Sequence, residues 1–411
     1  MPLTAEEQAP SAAEFAALMA PLGPFGPAPR LAVGVSGGPH SLALALLARD
    51  WVRPRGSVTG LVVDHGLRHE SDEEARWAAG ILDRLGVPAE VISLGLPGGA
   101  AVQERARAAR LEAMLARCGT LGLPWLLLGQ HRADQAETVL FRALRGSGPA
   151  GLAGIAATRP AGEALLLRPL LGMAPARLEA LLKVNRVVPL RDPSNLDPRF
   201  TRARLRLALA DPDGQGPGIA ALAEAAHAFA QRRGRREDAV AARLAGALRL
   251  APEGWARLDA ASLGHDEVAE AALAAVLRLL SGDEHAPALE GVAALLRRGQ
   301  GTLHGVQWRE GILCREVAGC APPLPARPGN CWDGRWRVLA APIGSEIGAL
   351  GTDSVGLARA ARRGLPARVL AGLPALRRHG EVVAVPALGL GEGAELVFDP
   401  AGGPLGQRFC P

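Results

Sequence analysis

Tyrosine is absent from this 411-residue chain, aromatics make up 3%, and Lys183 is its only lysine. A Walker-type phosphate loop needs a Gly-Lys-Ser/Thr triplet, so the lone lysine, far from any glycine-rich turn, excludes one. The five cysteines (Cys118, Cys314, Cys320, Cys331 and Cys410) are odd in number and scattered, with no C-x-x-C pair. That argues against a disulfide framework and against a zinc knuckle. No stretch of about 18 apolar residues escapes a charge, so no membrane span is expected. The first residues carry Glu6, Glu7 and Glu14 and no early basic cluster, unlike a secretory signal. The expectation is a soluble, cytoplasmic protein.

What is present is apolar and basic. Hydrophobic residues make up 48% of the chain, enough for sizeable cores, and the length calls for two or three domains. The 51 glycines and 33 prolines imply many turns. Net charge is +5 and the isoelectric point about 9.4, carried almost wholly by arginine. Such a surface suits a polyanion. An arginine-rich genome would give the same balance with no nucleic acid involved.

Residues 1–30 read as a short helix and a Pro/Gly-rich lead-in. From Leu31 strands and helices alternate. LAVGV (31–35), VTGLVVD (58–64), AEVISL (89–94) and WLLLG (125–129) read as buried strands, with LLLRPLL (165–171) as a fifth candidate. Helices are expected over 41–48, from Ser71 to near Gly86, over about 101–116, over 134–145 and from Pro175. Ser71 and Glu74 read as the capping box of the second. This alternation predicts an α/β fold, a doubly wound parallel sheet covered on both faces, with ligands beyond the carboxyl ends of the strands. The catalytic domain would span 31–212. After DPDGQGPG (211–218), residues 219–321 read as a helical domain without strand alternation up to about 300. PPLPARPG (322–329) reads as a linker, and 330–411 as a small mixed or β-rich domain.

Three stretches carry candidate chemistry. Ser36-Gly37-Gly38-Pro39-His40-Ser41 turns from the first strand into a helix. Its glycines permit close backbone approach to an anion, and the helix start offers free N–H groups. Asp64, His65 and Arg68 end the second strand, where a polar loop before a helix is the alternative. Asp134 and Glu137 lie three apart at a helix start beside the sheet's ligand edge. They read either as dipole-favoured acids or as paired carboxylates facing a pocket. Arg145 opens the glycine-rich RGSGPAGLAG. Arg107 and Arg110 share a helix face, which without further context reads as a solvated basic face.

These stretches occur in one order: SGGPHS, VDHGLR, Arg107/Arg110, DQAET–RGSG–GLAG, RPLL (168–171) and RDPSNLDPRFTRARLR (191–206). In that order they resemble the tRNA(Ile)-lysidine synthetase family of the PP-loop ATP pyrophosphatases. GQGTLHGVQWREGILCRE (299–316) and LPALRRHGEVVAVPALG (373–389) resemble its C-terminal regions. The resemblance implies ATP and Mg²⁺ as cofactors, L-lysine and a CAU-anticodon tRNA(Ile) as partners, and lysidine as product. It implies ATP contacts from Ser36 to Ser41 and from Asp64, His65 and Arg145. Asp134 and Glu137 would receive lysine, Asp134 would also hold the metal, and Asp134, Arg107 and Arg110 would act in catalysis. A homodimer is compatible with it. Arginine clusters at 232–236, 297–298, 362–363 and 377–378 would suit RNA phosphate. Trp308, Trp332 and Trp336 read as core or as base-stacking residues.

Two departures stand out. The family loop reads S-G-G-x-D-S, with His40 here in place of the acid. The family's GHH-x-DD reads Gln130-His131-Arg132-Ala133-Asp134. Imidazole is a poor Mg²⁺ ligand. Either Asp134 with ATP oxygens and water holds the ion, or Asp64 takes part, or the chain binds its substrates and reacts slowly. Two alternatives therefore stand: another PP-loop enzyme, though the paired cysteines of thiolases and a glutaminase domain are missing, and a tRNA-binding paralogue without turnover.

Overall fold

LAVGV becomes the centre of a sheet because nothing polar interrupts it: residues 31–35 are buried on both faces. The computed structural model describes residues 4, 8–53, 55–64, 66, 71–94, 102–161, 163–191, 199, 201–283 and 285–400, with side chains from 108 onward in the helix that begins at 102. The chain separates into two units, residues 1–233 and 234–411.

In the first unit, helix α1 (Ala12–Met19) buries Phe15 and Met19. Strand β1 (Arg30–Val35) leads into helix α2 (Pro39–Val52). Strand β2 (Ser57–Asp64) precedes helix α3 (Ser71–Arg84), and β3 (Ala89–Ser93) precedes α4 (Val102–Leu121). Strand β4 (Trp125–Leu128) leads into α5 (Arg132–Leu144) and a short turn of helix, α6 (Pro149–Leu152). A hairpin of β5 (Thr158–Ala161) and β6 (Ala164–Leu167) follows, then α7 (Pro175–Val184) and α8 (Thr201–Leu209). The sheet order is β3-β2-β1-β4-β6-β5, parallel throughout except for the antiparallel edge strand β5. The doubly wound parallel sheet is as expected.

Three local expectations change. Ser71 does not cap α3 from outside: it is the first helical residue, and its hydroxyl donates to Asp64 Oδ1 at 2.6 Å. The fifth strand stops at Leu167, because Pro169 has no N–H to extend a ladder. Its hairpin partner carries Pro160, which the edge position tolerates and which hid the strand from pattern reading.

A long helix, α9 (Pro217–Ala247), runs across the division between the units. In the second unit the stretch expected to be helical contains two three-residue strands, Leu248–Leu250 and Ala256–Leu258. They join 301–303, 306–309 and 312–315 in a five-stranded antiparallel sheet. Four- and three-stranded sheets follow between 324 and 398. Trp308, Trp332 and Trp336 are all buried, so they pack cores and present no face to a base. Arg335, 1% exposed, lies in this unit, and Asp333 accepts from both Arg335 and Arg315.

Candidate functional site

The parallel register puts the ends of β1, β2 and β4 on one edge, with Val35 opposite Val62 and Gly34 opposite Leu128. The turn Ser36–Ser41 lies there. Gly38 caps α2 and Pro39 fills its first position, where a missing N–H costs nothing. The amides of His40 and Ser41 follow in the first helical turn, where no intrahelical acceptor exists. The turn is held from within: Ser41 Oγ donates to Gly38 O at 3.0 Å and accepts from Ser36 N at 3.2 Å. Gly37 has φ +76°, and a Cβ on it would meet Leu190 Cδ1 at 2.8 Å. Leu190 N in turn donates to Gly37 O at 2.9 Å. Donor amides on a latched backbone at a helix start make a cradle for an anion.

Gly129, not singled out in the sequence, brings β4 against that cradle. A Cβ there would stand 3.0 Å from His40 O and 3.1 Å from Ser41 N. The close approach lets His131 reach His40, with ring centroids 4.0 Å apart and planes at 74°. Burial first, and then the neighbouring His131, push the His40 pKa down to about 3. Burial also lowers His131. Both rings are therefore neutral near pH 7. His40 Nε2 and His131 Nδ1 are buried without a hydrogen-bond partner. Asp134 Oδ2 accepts from His131 N at 3.0 Å and lies 3.4 Å from His131 Nε2.

Asp134 was the residue expected to hold a metal. The fit is poor for a Mg²⁺ held by the protein alone. Two neutral imidazoles flank a single carboxylate, and Mg²⁺ prefers oxygen ligands. Among the described residues, no three His, Cys, Asp or Glu side chains form a group that could hold an ion.

Glu137, one helical turn on from Asp134, is almost fully buried. Its Oε1 accepts from Arg206 Nε at 2.7 Å, while Oε2 is buried without a partner. Burial raises its pKa and Arg206 opposes the rise. Arg206 closes the TRARLR run, whose spacing of two held the only sequence signal for this contact. Asp64 Oδ1 accepts from Gly66 N at 2.9 Å as well as from Ser71, so this carboxylate oxygen is used in the turn after β2. His65 lies outside the described residues, as does most of the 191–200 loop. Arg107 lies on α4, its side chain outside the description, and Arg110 is half-buried on the same helix. Arg145 stands at the far end of α5 from Asp134. It follows α5, about 20 Å along the axis from the helix start, and its guanidinium lies 4.3 Å over the Phe141 ring.

Gln135 was also missed. Its amide clamps the loop after α6, donating to Ile155 O at 3.0 Å and accepting from Ile155 N at 2.6 Å. Arg168 donates to Ala156 O at 2.9 Å and to Gln130.

A parallel sheet with an anion cradle after its first strand is the architecture of a nucleotide-binding protein, and the PP-loop domain family model matches residues 8–212. The chain belongs to the tRNA(Ile)-lysidine synthase family. It is 34% identical over 389 residues to the tRNA(Ile)-lysidine synthase of Ruegeria pomeroyi, covering 89% of this chain and 90% of that one. Identity to that of a Methylobacterium species is 41% over 274 residues, 65% of this chain and 78% of the relative. For Novosphingobium aromaticivorans it is 44% over 207 residues, 48% of this chain and 63% of the relative, so that match spans less than two thirds of the relative's length.

Proposed function

We propose that the chain ligates lysine to C2 of the wobble cytidine of a CAU-anticodon tRNA(Ile), forming lysidine. The C2 oxygen attacks the α-phosphorus of ATP and pyrophosphate leaves. The lysine ε-ammonium gives up one proton and attacks C2, the C–O bond to AMP breaks, and the nitrogen releases a second proton, keeping one N–H in the product. The carrying observation is the latched cradle of residues 36–41 on one sheet edge with Asp134, the next acid of that helix being Glu137. Cradle amides suit the phosphates of ATP, in-line transfer needing mainly positioning and charge stabilisation. Any Mg²⁺ would arrive with ATP as part of the substrate, and Asp134 is the carboxylate that would face it. Asp134 receives the lysine ammonium and takes a proton from it. Glu137, one turn on and held by Arg206 through Oε1, backs Asp134 in the lysine site, its unpartnered Oε2 turning to the cation as the ammonium enters. Arg107 and Arg110 steady the phosphates. Residues 219–321 and 330–411 hold the rest of the tRNA.

His40 favours a second reading, a tRNA-binding paralogue that does not turn over. A single-turnover assay with ATP, Mg²⁺, labelled lysine and the CAU tRNA separates the two, with a His40→Asp variant alongside. Lysine incorporation by the native chain supports the ligase. Incorporation only by the variant supports the paralogue. None by either, with both chains folded, overturns the lysidine reading.

A further inference from the structure

Along α5, away from the cradle, runs an open groove in the first unit lined by Gln130, Thr138 and five arginines: Arg142, Arg159, Arg168, Arg202 and Arg233. No acidic side chain lines it among the described residues. Five arginines around one groove create a strongly positive field, and guanidinium pairs well with phosphate oxygens. The groove also joins the site. Gln130 directly precedes His131, and Thr138 lies one helical turn, about 6 Å, beyond Asp134.

Its inner wall is rigid. Arg142 Nη1 donates to Gly151 O at 2.8 Å and Gly154 O at 2.7 Å, and Arg168 is held by Ala156 O and Gln130. Both guanidinium groups spend donors on carbonyl or amide oxygens of the protein while their charge faces the groove. Arg159 and Arg202 stand exposed on the outer rim. A second, independent observation points to a ligand: Thr138 lines the groove, and its hydroxyl oxygen is buried just behind the groove wall with no hydrogen-bond partner. A buried hydroxyl without a partner is costly unless something outside the protein supplies one.

We propose that this groove carries the RNA backbone next to the nucleotide being modified, its phosphates on the arginines and a phosphate or ribose oxygen on Thr138. The inference rests on the proposed tRNA substrate and names where that strand lies. A field of this sign fixes position along the backbone without reading bases, so it would serve any sequence at the flanking nucleotides.

The test uses the full chain, a 17-nucleotide anticodon stem-loop and an Arg159→Glu/Arg202→Glu double variant, with Arg159→Lys/Arg202→Lys as the charge-conserving control. Circular dichroism and melting confirm that each variant folds. The expected result is a rise of at least tenfold in RNA Kd for the glutamate pair. The slope of log K against log salt should fall by about 1.4, some 0.7 for each lost contact to a single strand. ATP binding should be unchanged and the lysine pair close to native. Unchanged RNA affinity and slope would overturn the proposal. So would weakened ATP binding with RNA binding intact, which would assign the groove to the polyphosphate of the nucleotide. Failure of the native chain to bind the stem-loop at low salt would overturn it too. Lysine incorporation is scored separately. RNA binding with the expected loss in the variant, but no incorporation, would fault the ligase reading and leave the groove standing.

Discussion

His40 and His131 are 91 positions apart, yet each ring is the other's wall. Their neutrality has a pH consequence. In the folded chain His40 resists protonation down to about pH 3, whereas an unfolded histidine titrates near 6.5. Below pH 6.5 the unfolded chain takes up the extra proton and is favoured. Stability should therefore fall as pH drops from about 6.5 towards 3, by up to about 1.4 kcal/mol per pH unit for His40. His131, also lowered, acts in the same direction. Urea unfolding at pH 7.5 and pH 5 should show the loss, and His40→Gln, which cannot titrate, should flatten it. A second prediction concerns Glu137. Arg206→Ala removes the donor on its buried oxygen and should cost on the order of 1–3 kcal/mol. Glu137→Gln in the same chain should recover part of that, read as a shift in urea midpoint. At this scale the turn was legible from its place between an apolar run and a helix, although Ser-Gly-Gly by itself also suits an ordinary strand–helix turn. The Glu137–Arg206 pair was not, because an acid at a helix start explains itself by the dipole alone.

Elements were readable where hydrophobicity was continuous. Strands β1, β2 and β4 are parallel and buried, so they appear as uninterrupted apolar runs. The strands at 248–250 and 256–258 are three residues each, too short to set up an alternation inside an Ala/Leu/Arg-rich stretch. Gly129 shows what a helix–strand junction can hide: its role lies in a close approach to a backbone 89 positions away. Gly129→Ala places a methyl against His40 O and Ser41 N, and neither backbone atom can step aside cheaply. ATP affinity should fall at least tenfold while the secondary structure persists, as calorimetric titration and circular dichroism would show. Gln135→Ala should loosen the loop after α6 by removing both hydrogen bonds to Ile155. The Ile155 amide should then exchange with solvent faster, measurable by hydrogen–deuterium exchange.

For the whole molecule, the first unit carries every described candidate of the reaction site, and the second is organised around its own cores. Within that second unit Asp333 accepts from two arginines, one of them almost wholly buried. Asp333→Ala leaves that buried charge unpaired and should destabilise the unit by about 3–5 kcal/mol. Faster hydrogen exchange in the strands at 306–309 and 312–315 would report it. No helix among the described residues is long and apolar enough to cross a membrane. The class of the fold was legible from the alternation of apolar runs and helices. The division at residue 233 was not, because α9 continues through it with no proline or glycine-rich break.

The contact between the two imidazoles also bears on how this chain can change over generations. A single codon change that restored aspartate at position 40 would set a second carboxylate beside Asp134 and against a ring packed for a neutral neighbour. Position 40 is thus read together with position 131, because a replacement at either one changes the wall of the other.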